Sequence, residues 1–507
     1  MGFAVAVCLG LLLLRPAAAA EAKALHKAAE TITAAELKRH IDVLADDSFE
    51  GRRGGSRGGR AAGGYLAAEL EKAGLKGMGD DGTFFQTFSG GERNLIAVWE
   101  GNDPELKKQY VFVGAHYDHV GYGTSSNSYG PTGYIHNGAD DNASGVAGLL
   151  EMVQAITTLP QRPKRSVLFA LWDGEEEGLL GSKHWISHPT ARLKDIVLYI
   201  NLDMIGRLRK ERVEVYGTRS SQGLRQFISR QNDTGKLWLD FTWEIKENSD
   251  HYTFFERDIP MLMFHTGLHD NYHRPSDDAH LINNEGAEHV SRLIFAVAGE
   301  LANSDRAFRF RPEARREDPA AKRAFEQALP PPGPRFGLEW NEAMSDDDGV
   351  VVSRVTAGLP AAVAGLKRGD RITRFAGQPV TAQFPLRLAV LAAPSPVEVE
   401  VVRGDEPEPL KLQIALAGSP TRLGIAWRDD PGEPGAVLLT QVIYGSAAHR
   451  AGLSVRDRVY EVNGKTFVNS SEFRKLATTL PGPLELLIER SGRLYKLSLE
   501  PVEFPAQ

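Results

Sequence analysis

Histidine and carboxylate residues that could hold metal ions and move a proton recur at one kind of place in this chain. They follow short apolar runs. The run 111–115 ends at His116, with Asp118 two residues on; 166–172 ends at Asp173 and Glu175-Glu176-Glu177; 196–202 ends at Asp203; 259–264 leads into a polar loop that carries His273. Between the first two runs, Gly138-Ala139-Asp140-Asp141-Asn142-Ala143-Ser144-Gly145 opens an apolar helix and adds a further carboxylate. A set of His, Asp and Glu without Cys is a hard-to-borderline N/O donor set, and it suits a pair of zinc ions.

These side chains need elements that bring them together. Short runs of Val, Ile, Leu and Phe bounded by turn residues read as buried strands of a parallel sheet. In such sheets the site lies beyond the carboxyl ends of the strands. His116, Glu175, Glu176 and Asp203 then project into one crevice. The long Gly/Ser/Asn/Tyr loop 121–136 reads as part of its substrate-side wall, since loops of this length inside a domain are commonly functional. Upstream, Thr33 and Glu36 have capping-box spacing, with Leu37, Ile41 and Leu44 following at helical spacing. The Gly/Arg-rich stretch 52–64 reads as a solvated loop opening a helix that ends at Gly74; no strand precedes it and no Lys-Ser/Thr closes it, which speaks against a phosphate loop.

The 507 residues call for two to four domains. A net charge of −7 gives no support for nucleic-acid binding. The only cysteine, Cys8, lies in the N-terminal apolar stretch 3–14. That stretch is shorter than the roughly 20 residues a membrane span needs. With Ala18-Ala19-Ala20 behind it, it reads as a signal peptide, residues 1–20, of a secreted or periplasmic protein with no stable membrane span. Its n-region lacks Lys and Arg, which departs from the usual pattern. The first domain is expected over 21–302, followed by a Pro-rich and charged linker, 303–335.

Past the linker the sequence repeats. Phe336-Gly337-Leu338 returns as Leu423-Gly424-Ile425, Ala364-Gly365-Leu366 as Ala451-Gly452-Leu453, Asp370 as Asp457 and Gly377 as Gly464, always 87 residues on. A constant offset means two copies of one small, β-rich domain, expected over 336–418 and 419–503. They resemble bacterial PDZ domains, with the two glycine triplets where such domains carry the carboxylate-binding loop. The resemblance implies C-terminal peptide ligands.

The first domain resembles the M28 family of metallopeptidases. The resemblance rests on His116-Tyr117-Asp118, the 138–145 turn, Glu175 through Ser182, Asn201-Leu202-Asp203, Ser249-Asp250-His251, and His273 with Asp277, in the family's order. It implies an α/β/α sandwich around a mixed, mostly parallel sheet, two zinc ions, and removal of N-terminal residues from peptides. No inserted domain fits between Val111 and Leu281. By the family's pattern His116 and Asp203 hold one zinc, Glu176 and His273 the other, and Asp140 bridges. Asp118 orients His116 through a hydrogen bond. Glu175 is the general base. Glu177 reads as a solvated neighbour and Asp250 as a helix N-cap; His119, His136 and His251 read as loop or cap residues or outer hydrogen-bonding groups. The alternatives are a glutaminyl-cyclase-like enzyme on the same fold, and a catalytically dead core that presents PDZ modules.

Overall fold

The four apolar runs form neighbouring strands of one sheet in the computed structural model, which describes residues 20–232, 236–340, 349–381, 384–406 and 408–504. Residues 1–19, which carry nearly all of the segment read as a signal, lie outside the described residues. Among the described residues no helix is long and apolar enough to cross a membrane. The strands are β1 (Lys76–Gly77), β2 (Phe85–Thr87), β3 (Arg93–Trp99), β4 (Tyr110–His116), β5 (Ser166–Trp172), β6 (Ile196–Leu202), β7 (Arg212–Tyr216), β8 (Trp238–Phe241) and β9 (Met261–His265). Their order is β1-β3-β5-β4-β6-β9-β7-β8, with β2 on β3.

The central block β5-β4-β6-β9 is parallel throughout. Its strands are apolar along nearly their whole length because both faces are covered, as a buried parallel sheet requires. Alternate residues face opposite layers. Val111, Val113 and Ala115 share one core cluster with α1 (Ala34–Leu44), α2 (Arg57–Lys72), α3 (Gly145–Thr157), α5 (Leu224–Gln231) and α7 (Asn284–Asn303), through Leu37, Ile41, Leu66, Val146, Ile228 and Ile294. Phe112 faces the other way, into a cluster with Trp172, Trp185, Tyr199 and Phe254. That side is covered by α4 (Leu180–Ser187) and α6 (His251–Phe255). The result is the expected α/β/α sandwich with a mixed sheet, antiparallel where β1, β2 and β5 meet β3 and where β7 meets β9. At the centre Gly114 admits no side chain: a Cβ there would lie 2.4 Å from the Tyr199 hydroxyl and 2.7 Å from Trp172 Nε1.

The chain divides into two compact units near Lys322, inside the stretch 303–335 read as a linker. The first part of that stretch is held on the first unit by its own charges. Glu317 accepts hydrogen bonds from Arg219 Nε and Arg311 Nη1, both at 2.7 Å, and Arg315 pairs with Asp258 at 2.8 Å. Phe308 packs edge-on to Phe227.

The second unit holds two antiparallel sheets, and the 87-residue offset of the sequence recurs in its elements. The strands Val350–Val355, Arg371–Phe375 and Val397–Val402 return as Val437–Val442, Arg458–Val462 and Leu484–Arg490. Each copy closes with the same ion pair, Arg403–Asp370 at 2.8 Å and Arg490–Asp457 at 2.7 Å. The repeat helices run Leu386–Ala392 and Ser470–Thr479.

Candidate active site

The carboxyl ends of β4, β5, β6 and β9 meet at one edge of the sheet, and a cavity of about 520 Å³ opens there. His116 is the last residue of β4; Glu175 and Glu176 lie on the turn after β5; Asp203 follows β6; His273 lies on the loop after β9. Two donor groups result: His116, Asp141 and Asp203, and His119, Asp141, Glu176 and His273. Within each group one atom per residue lies within 4.8 Å of all the others.

Asp141 belongs to both groups. Its Oδ1 lies 3.3 Å from His116 Nε2, and its Oδ2 lies 3.1 Å from His273 Nε2. Asp203 Oδ1 lies 3.7 Å from His116 Nε2, and Glu176 Oε2 lies 3.1 Å from His273 Nε2. Donors about 2.0–2.1 Å from a tetrahedral zinc sit roughly 3.3 Å from one another, so these separations fit metal ions between them. His273 Nε2 also makes no hydrogen bond to either carboxylate despite its closeness. Burial pushes the Asp141 carboxyl up, but the imidazoles of His116 and His273 outweigh it and hold Asp141 well below the ordinary range. So many buried carboxylates are costly unless cations meet them.

The expectation that Asp140 bridges is corrected by this geometry. Asp140 faces away from both groups. Its Oδ1 accepts from Gly206 N at 2.7 Å and Ser144 Oγ at 3.0 Å, and its Oδ2 lies 3.2 Å from His269 Nε2. The turn decides which neighbour points inward. Gly138 enters it with φ 56°, and Asp141 and Asn142 leave the helical region. Asn142 then ties the turn to the end of β6: its Nδ2 donates to Leu202 O at 2.9 Å, and its Oδ1 accepts from Met204 N at 3.1 Å. Asp277 Oδ2 accepts from the amides of Asp140 and Asp141, at 2.9 and 3.1 Å.

His119, which the sequence leaves as a loop or cap residue or an outer hydrogen-bonding group, stands among the donors themselves. Its Nδ1 lies 2.7 Å from Glu176 Oε1 and 3.8 Å from Asp141 Oδ2. The spacing His116-x-x-His119 just past a strand end was the available signal, since a turn there brings both rings to the same side.

The expected hydrogen bond between the Asp118 carboxylate and His116 is not formed. Asp118 Oδ1 is 3.6 Å from His116 Nδ1, beyond hydrogen-bond length, while Nδ1 lies 3.2 Å from the Asp118 carbonyl. The carboxylate instead accepts from the amides of Glu175 at 3.1 Å and Glu176 at 3.3 Å, so it sets the turn that carries both glutamates. Burial raises Glu175 well above the usual carboxylate range, against the pull of His116, with Glu176 and Asp250 adding to the rise. That is the direction needed by a proton carrier working near neutrality. Glu177 stays at the surface, paired with Arg53 at 2.9 Å.

Asp250 opens α6 but makes no capping hydrogen bond, and its carboxyl is buried. His251 is buried beside it, and burial pulls its imidazole down to about 4. His136 bonds within its own loop, Nε2 to Ser128 Oγ at 2.7 Å. The loop 121–136 does reach the cavity, where Tyr129 lines the wall with Met204, Leu268 and Tyr272.

Residues 94–298 match the model of Peptidase family M28, and residues 334–414 and 412–489 each match a PDZ domain model. Leupeptin-inactivating enzyme 1 of Streptomyces exfoliatus is 32% identical over 182 residues, covering 34% of this chain and 36% of that protein. Aminopeptidase YwaD of Bacillus subtilis is 28% identical over 205 residues, covering 39% and 42%. Among solved structures, the Legionella pneumophila LapA aminopeptidase has a TM-score of 0.47 at 21% identity, covering 55% of this chain and 75% of that one. The chain thus spans well under half the length of these curated relatives.

Proposed function

We propose that this chain, an M28 peptidase domain followed by two PDZ domains, is a secreted or periplasmic aminopeptidase that works with two zinc ions. The observation that carries the reading is the pair of donor groups sharing Asp141, with Glu175 beside them in one cavity. His116 and Asp203 would hold one ion, Glu176 and His273 the other with His119 alongside, and Asp141 would be shared by both groups. Zinc ions held there would supply Lewis-acid polarisation of a carbonyl and a bound water of lowered pKa. Glu175 takes the proton of the attacking water and gives it to the leaving amine. Asp118 keeps Glu175 and Glu176 in place through their amides. Glu214 and Glu244 add carboxylates to the cavity wall, with Lys246 as a counter-charge, and so favour a cationic N-terminus over a blocked one. The relatives named as aminopeptidases support the same substrate end. A one-zinc cyclase would need only one of the two donor groups, and both are complete.

The test is metal analysis beside an aminoacyl-nitroanilide assay. The expected result is two zinc ions per chain in active protein, loss of activity with a chelator, and recovery on adding zinc. Full activity with one zinc or none overturns the two-ion reading.

The PDZ domains serve long substrates or location rather than chemistry. A PDZ groove pairs a peptide as an added strand and holds its terminal carboxylate, so tethering raises effective concentration rather than chemical rate. A chain ending after Lys322 is therefore expected to fold and to cleave small chromogenic substrates with kcat/KM within a few-fold of the full chain. A chain ending at Asn303 loses Phe308 and the Glu317 ion pairs, and it should melt several degrees lower. Loss of small-substrate activity in the folded Lys322 truncation would show that the PDZ domains help build the site.

A further inference from the structure

The Gly/Arg-rich stretch plays no part in the chemistry above, yet its first residue lies directly behind the donor groups. Arg52 is 1% exposed. The chain reaches it through three successive residues in the left-handed region, Glu50, Gly51 and Arg52, with φ of 51°, 67° and 49°. Such strain in non-glycine residues persists only where the surroundings over-determine it, and it gathers at functional sites. Gly51 has no room for a side chain: a Cβ would lie 2.5 Å from the carbonyl oxygens of both Gly121 and His136.

The guanidinium is satisfied by main-chain carbonyls. Nε donates to Tyr117 O at 2.9 Å, Nη1 to Leu44 O and Asn137 O at 2.6 Å each, and Nη2 to Gly138 O at 2.9 Å. Tyr117 lies between His116 and Asp118, and Asn137 and Gly138 open the turn that ends in Asp141. The main chain of the same segment holds the first of these pieces again: Gly121 N donates to Gly51 O at 3.0 Å, and His119 N to Arg52 O at 3.4 Å. Among the described residues Arg52 forms no ion pair, although Asp141, Asp118, Asp277 and Glu176 all act on its charge. A rigid planar fork with five donors can join two separate loops in this way, whereas an ammonium cannot.

We propose that Arg52 is a positioning residue of the metal centre, which clamps the β4 exit carrying His116 and His119 to the turn carrying Asp141 at the separation where the donors converge. The inference rests on the metal-centre reading above. Two effects of the side chain oppose each other. A preformed site binds metal more tightly, while a fixed cation nearby binds it less tightly. The four hydrogen bonds to the two loops and α1 make preorganisation the larger effect.

The experiment uses full-length protein with Arg52→Lys and Arg52→Met, stripped of metal and titrated with zinc against a chromogenic chelator. Circular dichroism and melting are followed in parallel. Arg52→Lys keeps the charge but cannot span the four carbonyls, so zinc affinity should fall about 10–100-fold, the scale seen for lost outer partners of metal ligands. Arg52→Met should lose at least as much. At saturating zinc the KM for a small substrate should stay within a few-fold of wild type. Folded Arg52→Lys protein with wild-type zinc affinity would make Arg52 merely structural and overturn the proposal. Tighter zinc binding by Arg52→Met would show that charge repulsion dominates and overturn it as well. So would failure of both variants to fold at any zinc concentration, which would make Arg52 a residue of the fold at large. A wild-type chain that binds no zinc would instead overturn the metal-centre reading itself.

Discussion

Glu175→Gln protein is expected to bind as much zinc as wild type and to turn over roughly 10²–10⁴-fold more slowly, the scale of general acid–base catalysis. The side chain lies in the cavity but in neither donor group, so its amide leaves the metal ligands untouched. What is lost is a carboxylate that can take a proton from water and return it to the amine. Glu176→Gln is the contrast. Glu176 faces His119 at 2.7 Å and His273 at 3.1 Å, and its loss should lower zinc affinity before it lowers the rate at saturating zinc. Reversed behaviour of the two variants would shift both roles by one residue.

Asp141→Asn is expected to be the most damaging single change at the site. The two carboxylate oxygens of Asp141 face different imidazoles, so under the proposed two-ion reading each would serve a different ion. An amide offers one acceptor and one donor group, and its NH₂ repels a cation. The variant should keep at most one zinc per chain and lose more activity than the roughly 10–100-fold that follows loss of an outer partner. Asp140→Asn should keep wild-type stoichiometry and fall within that smaller range, because Asp140 only ties the turn to Gly206, Ser144 and His269. Metal analysis and kcat for the two variants make the comparison. Equal zinc content in both would contradict the bridging role of Asp141.

The parts of this molecule that were legible in the sequence are those with a local chemical signature. Strands buried on both faces must be apolar throughout, so the runs that became β4, β5, β6 and β9 stood out, and the polar residues at their ends marked the crevice. The repeat was legible because a fixed offset of 87 residues needs no structure to see. The choice between Asp140 and Asp141 was not. Adjacent carboxylates on a turn point in different directions, and which one points inward depends on the left-handed entry at Gly138 and the non-helical backbone at Asp141 and Asn142. Arg52 was hidden for a different reason. Its partners are main-chain carbonyls, which carry no sequence signal, so a buried clamp looked like a solvated Gly/Arg loop. The stretch after Asn303 read as linker because its charges are those of an exposed segment; their partners, Arg219 and Asp258, lie far back in the chain.

The proposed reaction is removal of residues from free peptide N-termini by zinc-loaded protein. Mass spectrometry of one peptide, offered with a free and with an acetylated N-terminus to zinc-loaded and to chelator-treated protein, tests it most directly. Stepwise loss of N-terminal residues is expected from the free peptide with zinc-loaded protein alone, and no cleavage of the acetylated one. Equal cleavage of both peptides, internal cleavage, or cleavage that persists in metal-free protein would contradict it.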